Sequence, residues 1–97
     1  MNPLIIEAIT QKVYVEFTYN ETRRKVAIYA YGVNNSGNLI IRGYQTRNVL
    51  RSNEIGCRIF KEDKIFDLTL TDTKFYHALK YKKGDKMMNF VIAQLKY

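Results

Sequence analysis

The sequence predicts a small, mainly β domain, built as a strongly bent antiparallel sheet or barrel with a short helix at each end. Its apolar residues are rich in Ile, Val, Tyr and Phe, which favour strands over helices. They alternate with polar residues in several short runs, and short polar turns separate the runs. The 97 residues fit one domain. We therefore expect a single domain over residues 1–97.

The chain opens with a predicted helix over about residues 3–12. Asn2 before Pro3 is typical of a capping residue followed by proline at the first helical position. Apolar residues then recur at helical spacing, which predicts one face packed on the sheet. The alternation that starts at Val13 predicts the first strand, and it runs through Tyr19.

Two longer strands are expected next, joined by the clearest hairpin signal of the chain, Asn34-Asn35-Ser36-Gly37. In the strand over 25–33, the alternation places Lys25, Tyr29 and Tyr31 on the face opposite Val26, Ile28 and Ala30. In the strand over 38–45, it places Arg42 and Tyr44 on one face.

The remaining elements are shorter. Residues 46–55 are polar and basic without periodicity, and we expect a mobile loop there. Two more strands, 57–61 and 65–70, complete a five-stranded barrel core over about 13–70. The rest, 71–97, is then a C-terminal extension.

A short C-terminal helix is predicted at 85–96, where Asp85 can act as its cap. Its apolar residues recur at helical spacing: Met88, Val91, Ile92 and Leu95. The run Phe90 to Ala93 also fits a strand.

Charge indicates the class of partner. The formal net charge is +7, and all six arginines lie between Arg23 and Arg58. The arginine fork suits two-point contact with phosphate or carboxylate, so this confinement favours an anionic ligand. An ordinary solvated basic face is the alternative interpretation.

The sequence carries few of the residue patterns that are typical of enzymes. Cys57 is the single cysteine, which excludes an internal disulfide and a cysteine-built zinc site, and His77 is the single histidine. The glycines form no phosphate-binding motif. We therefore expect no catalytic residues, no metal and no cofactor. No apolar run is long enough to predict a membrane segment, and a reduced, cytoplasmic setting fits best.

The order of several motifs resembles WYL domains. The likeness covers about residues 4–75 and rests on these segments: Ala8-Ile9 with Val15 to Tyr19, Arg24-Lys25-Val26, Tyr31-Gly32, Arg42-Gly43-Tyr44-Gln45 and Arg58 to Ile65. The tail from Phe75 resembles small stand-alone WYL-like proteins of bacteria and their phages. Two departures are that Leu39-Ile40-Ile41 stands in place of the namesake Trp-Tyr-Leu, and that Ile28 replaces a usual proline.

The resemblance implies an SH3-like, Sm-like barrel that senses nucleic acid or anionic ligands through a basic groove. By position, the groove would use five residues: Tyr19, Arg24, Arg42, Tyr44 and Arg58. Arg47 and Arg51 would add a basic loop. Arginine and tyrosine side chains together can grip phosphates and stack on bases.

Two functional hypotheses follow. The first is a non-enzymatic binding or regulatory module for single-stranded nucleic acid, RNA or DNA, or for a nucleotide-like anion. The second is a protein-interaction module that binds and modulates a host transcription or defence protein, in which case the chain could be encoded by a phage. This hypothesis rests on the open strand edges of a small barrel, which can accept a strand from a partner. The oligomeric state is left open, with a homodimer as one form.

Overall fold

The computed structural model describes residues 2–48, 55–76 and 88–95, which form one α-helix and six strands. In chain order they are α1 (Pro3–Gln11), β1 (Val13–Tyr19), β2 (Thr22–Val33), β3 (Leu39–Asn48), β4 (Gly56–Lys61), β5 (Phe66–Lys74) and β6 (Phe90–Gln94). A 3-10 turn, Glu62–Lys64, joins β4 to β5.

The helix α1 forms where the sequence predicts it. The side chain of Asn2 accepts a hydrogen bond from the backbone N–H of Leu4 at 3.0 Å, and Pro3 occupies the first helical position. Lys12 ends the helix in the left-handed conformation, with φ of 57°. The buried side of α1 carries Ile5, Ala8 and Ile9, which join the main core.

The six strands form one antiparallel sheet in the order β4-β3-β2-β1-β5, with β6 beside β2. Strand β2 is twelve residues long and has two neighbours along one edge. There β1 pairs with residues 22–26, and β6 pairs with residues 30–33. On its other edge, β2 pairs with β3 along most of its length.

The prediction of a closed five-stranded barrel is wrong, because the structure is an open, six-stranded sheet. Among the described residues, β4 and β5 lie at opposite edges and do not pair. Barrel closure needs the two edge strands to meet by backbone hydrogen bonds. Instead, β4 approaches β1 through side chains: the Phe60 ring lies 5.1 Å from that of Phe17. Since three strand spacings span about 14 Å in a flat sheet, this contact shows that the sheet is strongly bent.

The prediction of a C-terminal helix is also wrong, because β6 occupies residues 90–94. The second half of the β2 edge extends past β1, and its backbone groups need partners, which β6 supplies. Gly32 allows the approach, because a Cβ there would lie against the Phe90 carbonyl. The apolar spacing that suggested a helix has another explanation, since Met88 and Leu95 are buried at the two ends of the strand.

A bulge in β2 changes the predicted face of Tyr31. The register shifts between Ile28 and Ala30, so β2 carries one extra residue there. Beyond the shift, Tyr31 lies opposite Ile41, a core residue, and not on the side of Lys25. Both Tyr29 and Tyr31 are buried. Simple alternation therefore fails for this half of the strand.

Candidate nucleic-acid interface

The strand register divides the five predicted groove residues between the two faces of the sheet. Residues that lie directly opposite each other in paired strands share a face. We call the face that carries Phe17 and Phe60 the inner face, since both belong to the core. Arg24 lies opposite Phe17 and therefore belongs to the inner face. Tyr19 shares it, because Tyr19 stands two residues from Phe17 on β1.

Arg58 also belongs to the inner face. It lies opposite Gly43 on β3, which lies opposite Ile28 of the core. Arg42 and Tyr44 flank Gly43 on β3, so they point to the other side, which we call the outer face. The sheet itself therefore separates the pair Arg42 and Tyr44 from the three inner residues.

Arg24 is used inside the fold. Only 5% of its surface is exposed. Its Nε donates to the carbonyl of Tyr19 and its Nη1 to Oε1 of Gln45, both at 3.2 Å. Its Cζ lies 5.4 Å from the ring centroid of Tyr19 and 5.8 Å from that of Phe60, within cation–π range. The guanidinium thus fastens β1, β2, β3 and β4 to one another on the inner face.

Tyr19 has a similar structural role. Its ring packs edge-to-face on Phe60 at 5.0 Å, and its hydroxyl accepts a hydrogen bond from the backbone N–H of Lys61 at 3.2 Å. These contacts hold β4 over the end of β1. Arg58, by contrast, is half-buried.

The outer face presents a tyrosine between two cations. Tyr44 lies opposite Ala27 of β2 and Cys57 of β4. Lys25 is two residues from Ala27 along β2, and Arg42 is two residues from Tyr44 along β3. Strand geometry therefore sets Arg42 about 7 Å from Tyr44 along β3, and Lys25 lies on the other side of Tyr44, diagonally across the β2–β3 ladder. All three side chains are half-buried.

Lys25 is held in place by an aromatic ring that sequence reasoning did not assign to the site. Its Nζ lies 5.1 Å from the ring centroid of Tyr14, and this ring packs edge-to-face on the buried Phe75 at 5.6 Å. Lys25 also lies opposite Glu16 on β1. The alternation in β1 does put Tyr14 and Glu16 on the side away from the core. Only the register, however, brings that side next to Lys25.

The predicted basic loop is described in part. Residues 46–48 belong to β3, so the expected loop over 46–55 is wrong at its start. The backbone of Arg47 lies opposite Lys25 in the β2–β3 ladder. Arg51, like His77, lies outside the described residues.

Within residues 2–48, 55–76 and 88–95, no group of three or more His, Cys, Asp or Glu side chains could hold a metal ion. In those ranges, no helix has both the length and the apolar character needed to cross a bilayer.

Comparison with known proteins gives no relative from which a function could be transferred. No protein-family model matches the chain, and neither a curated protein nor a solved structure is significantly similar. The resemblance to WYL domains therefore stays a prediction from the motifs. Any function must be argued from the geometry of the sheet.

Proposed function

We propose that this protein is a non-enzymatic binding module that captures single-stranded nucleic acid, or a nucleotide-like anion, on the outer face of its sheet. The observation that carries the proposal is the position of Tyr44 between Lys25 and Arg42 on that face. A tyrosine ring can stack on a base, and cations on both sides can contact the flanking phosphates. This combination tolerates many sequences, because every base has a stacking face.

The charge of the outer face supports the same ligand. Strand register puts Lys61 and Arg23 on this face as well, opposite Ile40 and Thr18. Glu16 is the acid that β1 contributes there, and it faces Lys25. A face with this excess of cations attracts a polyanion, in keeping with a net charge of +7.

The side chain of Lys25 is already restricted in a position from which it can contact a phosphate. The cation–π contact with Tyr14 restricts the lysine side chain before any ligand arrives, so less conformational entropy is lost on binding. Arg24 and Tyr19 support the sheet from the inner face in this proposal. We place the module in the cytoplasm, where nucleic acid is abundant and a thiol such as that of Cys57 stays reduced.

The test is the salt dependence of binding to labelled oligonucleotides. Fluorescence anisotropy of oligo-dT and oligo-U should show binding at low salt that weakens steeply as salt rises, because counterions are released. Arg42→Gln should lower the slope of log K against log salt by about 0.7, the value for one phosphate contact on a single strand. Tyr44→Leu should leave the slope unchanged and weaken binding by about 1–3 kcal/mol, the contribution of one stacked base.

Matched variants separate the two faces. Arg58→Gln removes the same charge from the inner face, and Lys74→Gln removes one from β5, at the edge of the sheet. Both should leave the affinity within about twofold after correction for net charge. Equal losses for Arg42→Gln and Arg58→Gln would contradict an outer-face site. Absence of binding at low salt by the folded protein would remove the nucleic-acid proposal.

A further inference from the structure

The outer edge of β5 is a second surface with features of a binding site. Strand β5 pairs with β1 on one side only, and no strand among the described residues pairs with its other side. A strand at the edge of a sheet presents a row of backbone N–H and C=O groups to its surroundings. At nine residues and without proline, this edge is long enough to pair with an extended peptide.

A cleft lies at the start of this edge. Its volume is about 580 Å³, and it is lined by Thr18, Asn20, Glu21, Lys64 and Phe66. Phe66, the first residue of β5, exposes 62% of its surface. An apolar side chain from a partner strand could therefore cover Phe66 while the partner's backbone pairs with β5. Backbone pairing then supplies affinity, and the cleft supplies selectivity.

The backbone at the start of β5 is fixed by contacts within the protein. Asp67 adopts the left-handed conformation, with φ of 53°. Arg23 secures it, since Nη1 of Arg23 donates to the Asp67 carbonyl at 2.8 Å and lies 3.3 Å from the Thr18 hydroxyl. The edge next to the cleft therefore requires little ordering when a partner binds.

Charge identifies the partner. Residues 62–74, which include all of β5, contain four acids and two lysines, while the whole chain has a net charge of +7. Two of these acids, Asp67 and Asp72, stand on β5 and are exposed. Such a segment repels phosphate and attracts cationic side chains, so it is distinct from the outer-face site.

We propose that the β5 edge and its cleft accept an extended basic segment of another protein, with an apolar side chain of that segment placed against Phe66. The partner adds a strand beside β5, its lysines or arginines lie near Asp67 and Asp72, and the part of the outer face that carries Lys25, Arg42 and Tyr44 stays available to nucleic acid. This proposal does not depend on the outer-face function.

The test is an NMR titration of the full-length, isotope-labelled protein with short synthetic peptides that alternate Lys and Ile. Amide shifts should change along residues 66–74, and the β5 amides should gain protection from hydrogen exchange. A peptide with Glu in place of Lys should bind at least about tenfold more weakly, because like charges then face each other.

Substitutions of the β5 acids test whether the basic peptide binds at this edge. The double variant Asp67→Asn with Asp72→Asn removes both charges, and asparagine tolerates the left-handed conformation at position 67. We expect peptide binding to weaken roughly 2- to 30-fold, the range for two exposed ion pairs. Glu7→Gln, on an exposed position of α1, is the control and should change nothing.

Three results would overturn the proposal. The first is absence of shift changes at β5 with the basic peptide. The second is equal binding of the acidic peptide. The third is a set of β5 shifts that grow with protein concentration without peptide, since these would show that a second copy of the chain occupies the edge.

Discussion

Tyr31 joins three separate parts of the fold through one hydroxyl group. Removing this hydroxyl should lower the free energy of unfolding by an amount that depends on pH. The hydroxyl accepts a hydrogen bond from the backbone N–H of Asn2 at 3.0 Å and donates one to the carboxylate of Glu62. It therefore links the cap of α1, the bulged half of β2 and the 3-10 turn after β4. Burial, followed by the hydrogen bond to Glu62, raises the pKa of Tyr31 from its ordinary 10.0 to about 12.

The sign of the pH effect follows from linkage. The folded state holds the phenol proton more tightly than the unfolded state, so the stabilisation is complete below pH 10.0 and is lost as pH rises towards about 12. With the pKa raised by about two units, deprotonation lowers the free energy of unfolding by roughly 2 kcal/mol by about pH 12. At neutral pH, Tyr31→Phe should cost about 1–2 kcal/mol, because the N–H of Asn2 and the carboxylate of Glu62 lose their partner.

The assay is urea denaturation at a series of pH values from neutral to strongly alkaline. The advantage of the wild type over Tyr31→Phe should be constant up to about pH 10 and should disappear by about pH 12. Lysine titration affects both proteins alike and cancels in the difference. Tyr76→Phe is the matched control, since this tyrosine exposes 76% of its surface. A stability difference that stays constant through the alkaline range would show that the Tyr31 hydroxyl does not hold its proton more tightly in the folded state.

Three further substitutions test the inner face by chemical denaturation. Phe60→Ala should cost about 3–5 kcal/mol, because it leaves a cavity under a ring that is 1% exposed; a cost below about 1 kcal/mol would contradict this packing. Gly43→Ala should cost about 1–3 kcal/mol, since its Cβ would lie 2.6 Å from the Ala27 carbonyl oxygen; an unchanged midpoint would refute this contact. Arg24→Met should cost about 1–3 kcal/mol by removing the donor to Gln45, yet leave oligonucleotide affinity within about twofold; a large loss of affinity would show that Arg24 contacts the ligand.

Much of the fold can be predicted from the sequence, because local residue patterns determine where its first helix, its first strand and the turn between β2 and β3 form. The capping pair Asn2 and Pro3 predicts the start of α1, and alternation from Val13 predicts β1. The turn at residues 34–37 joins β2 to β3 as expected, with Gly37 at φ of 82°. Each of these signals lies within a few residues of the structure it specifies.

The errors arise where distant residues decide the structure. Residues 90–94 form a strand because the edge of β2 is unpaired beyond β1, and their own spacing also fits a helix. The sheet does not close into a barrel, because β6 pairs with β2 and, among the described residues, the edge strands β4 and β5 do not pair with each other. Neither fact can be derived from a local window of sequence.

The candidate site shows the same limit. Alternation correctly puts Arg42 and Tyr44 on one face of a single strand. It cannot relate that face to the face of Arg24 on another strand, since a one-residue change of register reverses every side chain. The bulge after Ile28 is such a change, and the partnership of Lys25 with Tyr14 likewise depends on register. Composition therefore favours a class of ligand, whereas the candidate site can be located only on the assembled sheet.

The most direct test of the outer-face proposal is photochemical crosslinking to a single-stranded oligonucleotide, followed by peptide mapping. Crosslinks should concentrate at Tyr44 and its outer-face neighbours Lys25 and Arg42, and they should decline as salt rises. Crosslinks concentrated at Tyr19 and Arg58 would instead place the ligand on the inner face and contradict the outer-face proposal.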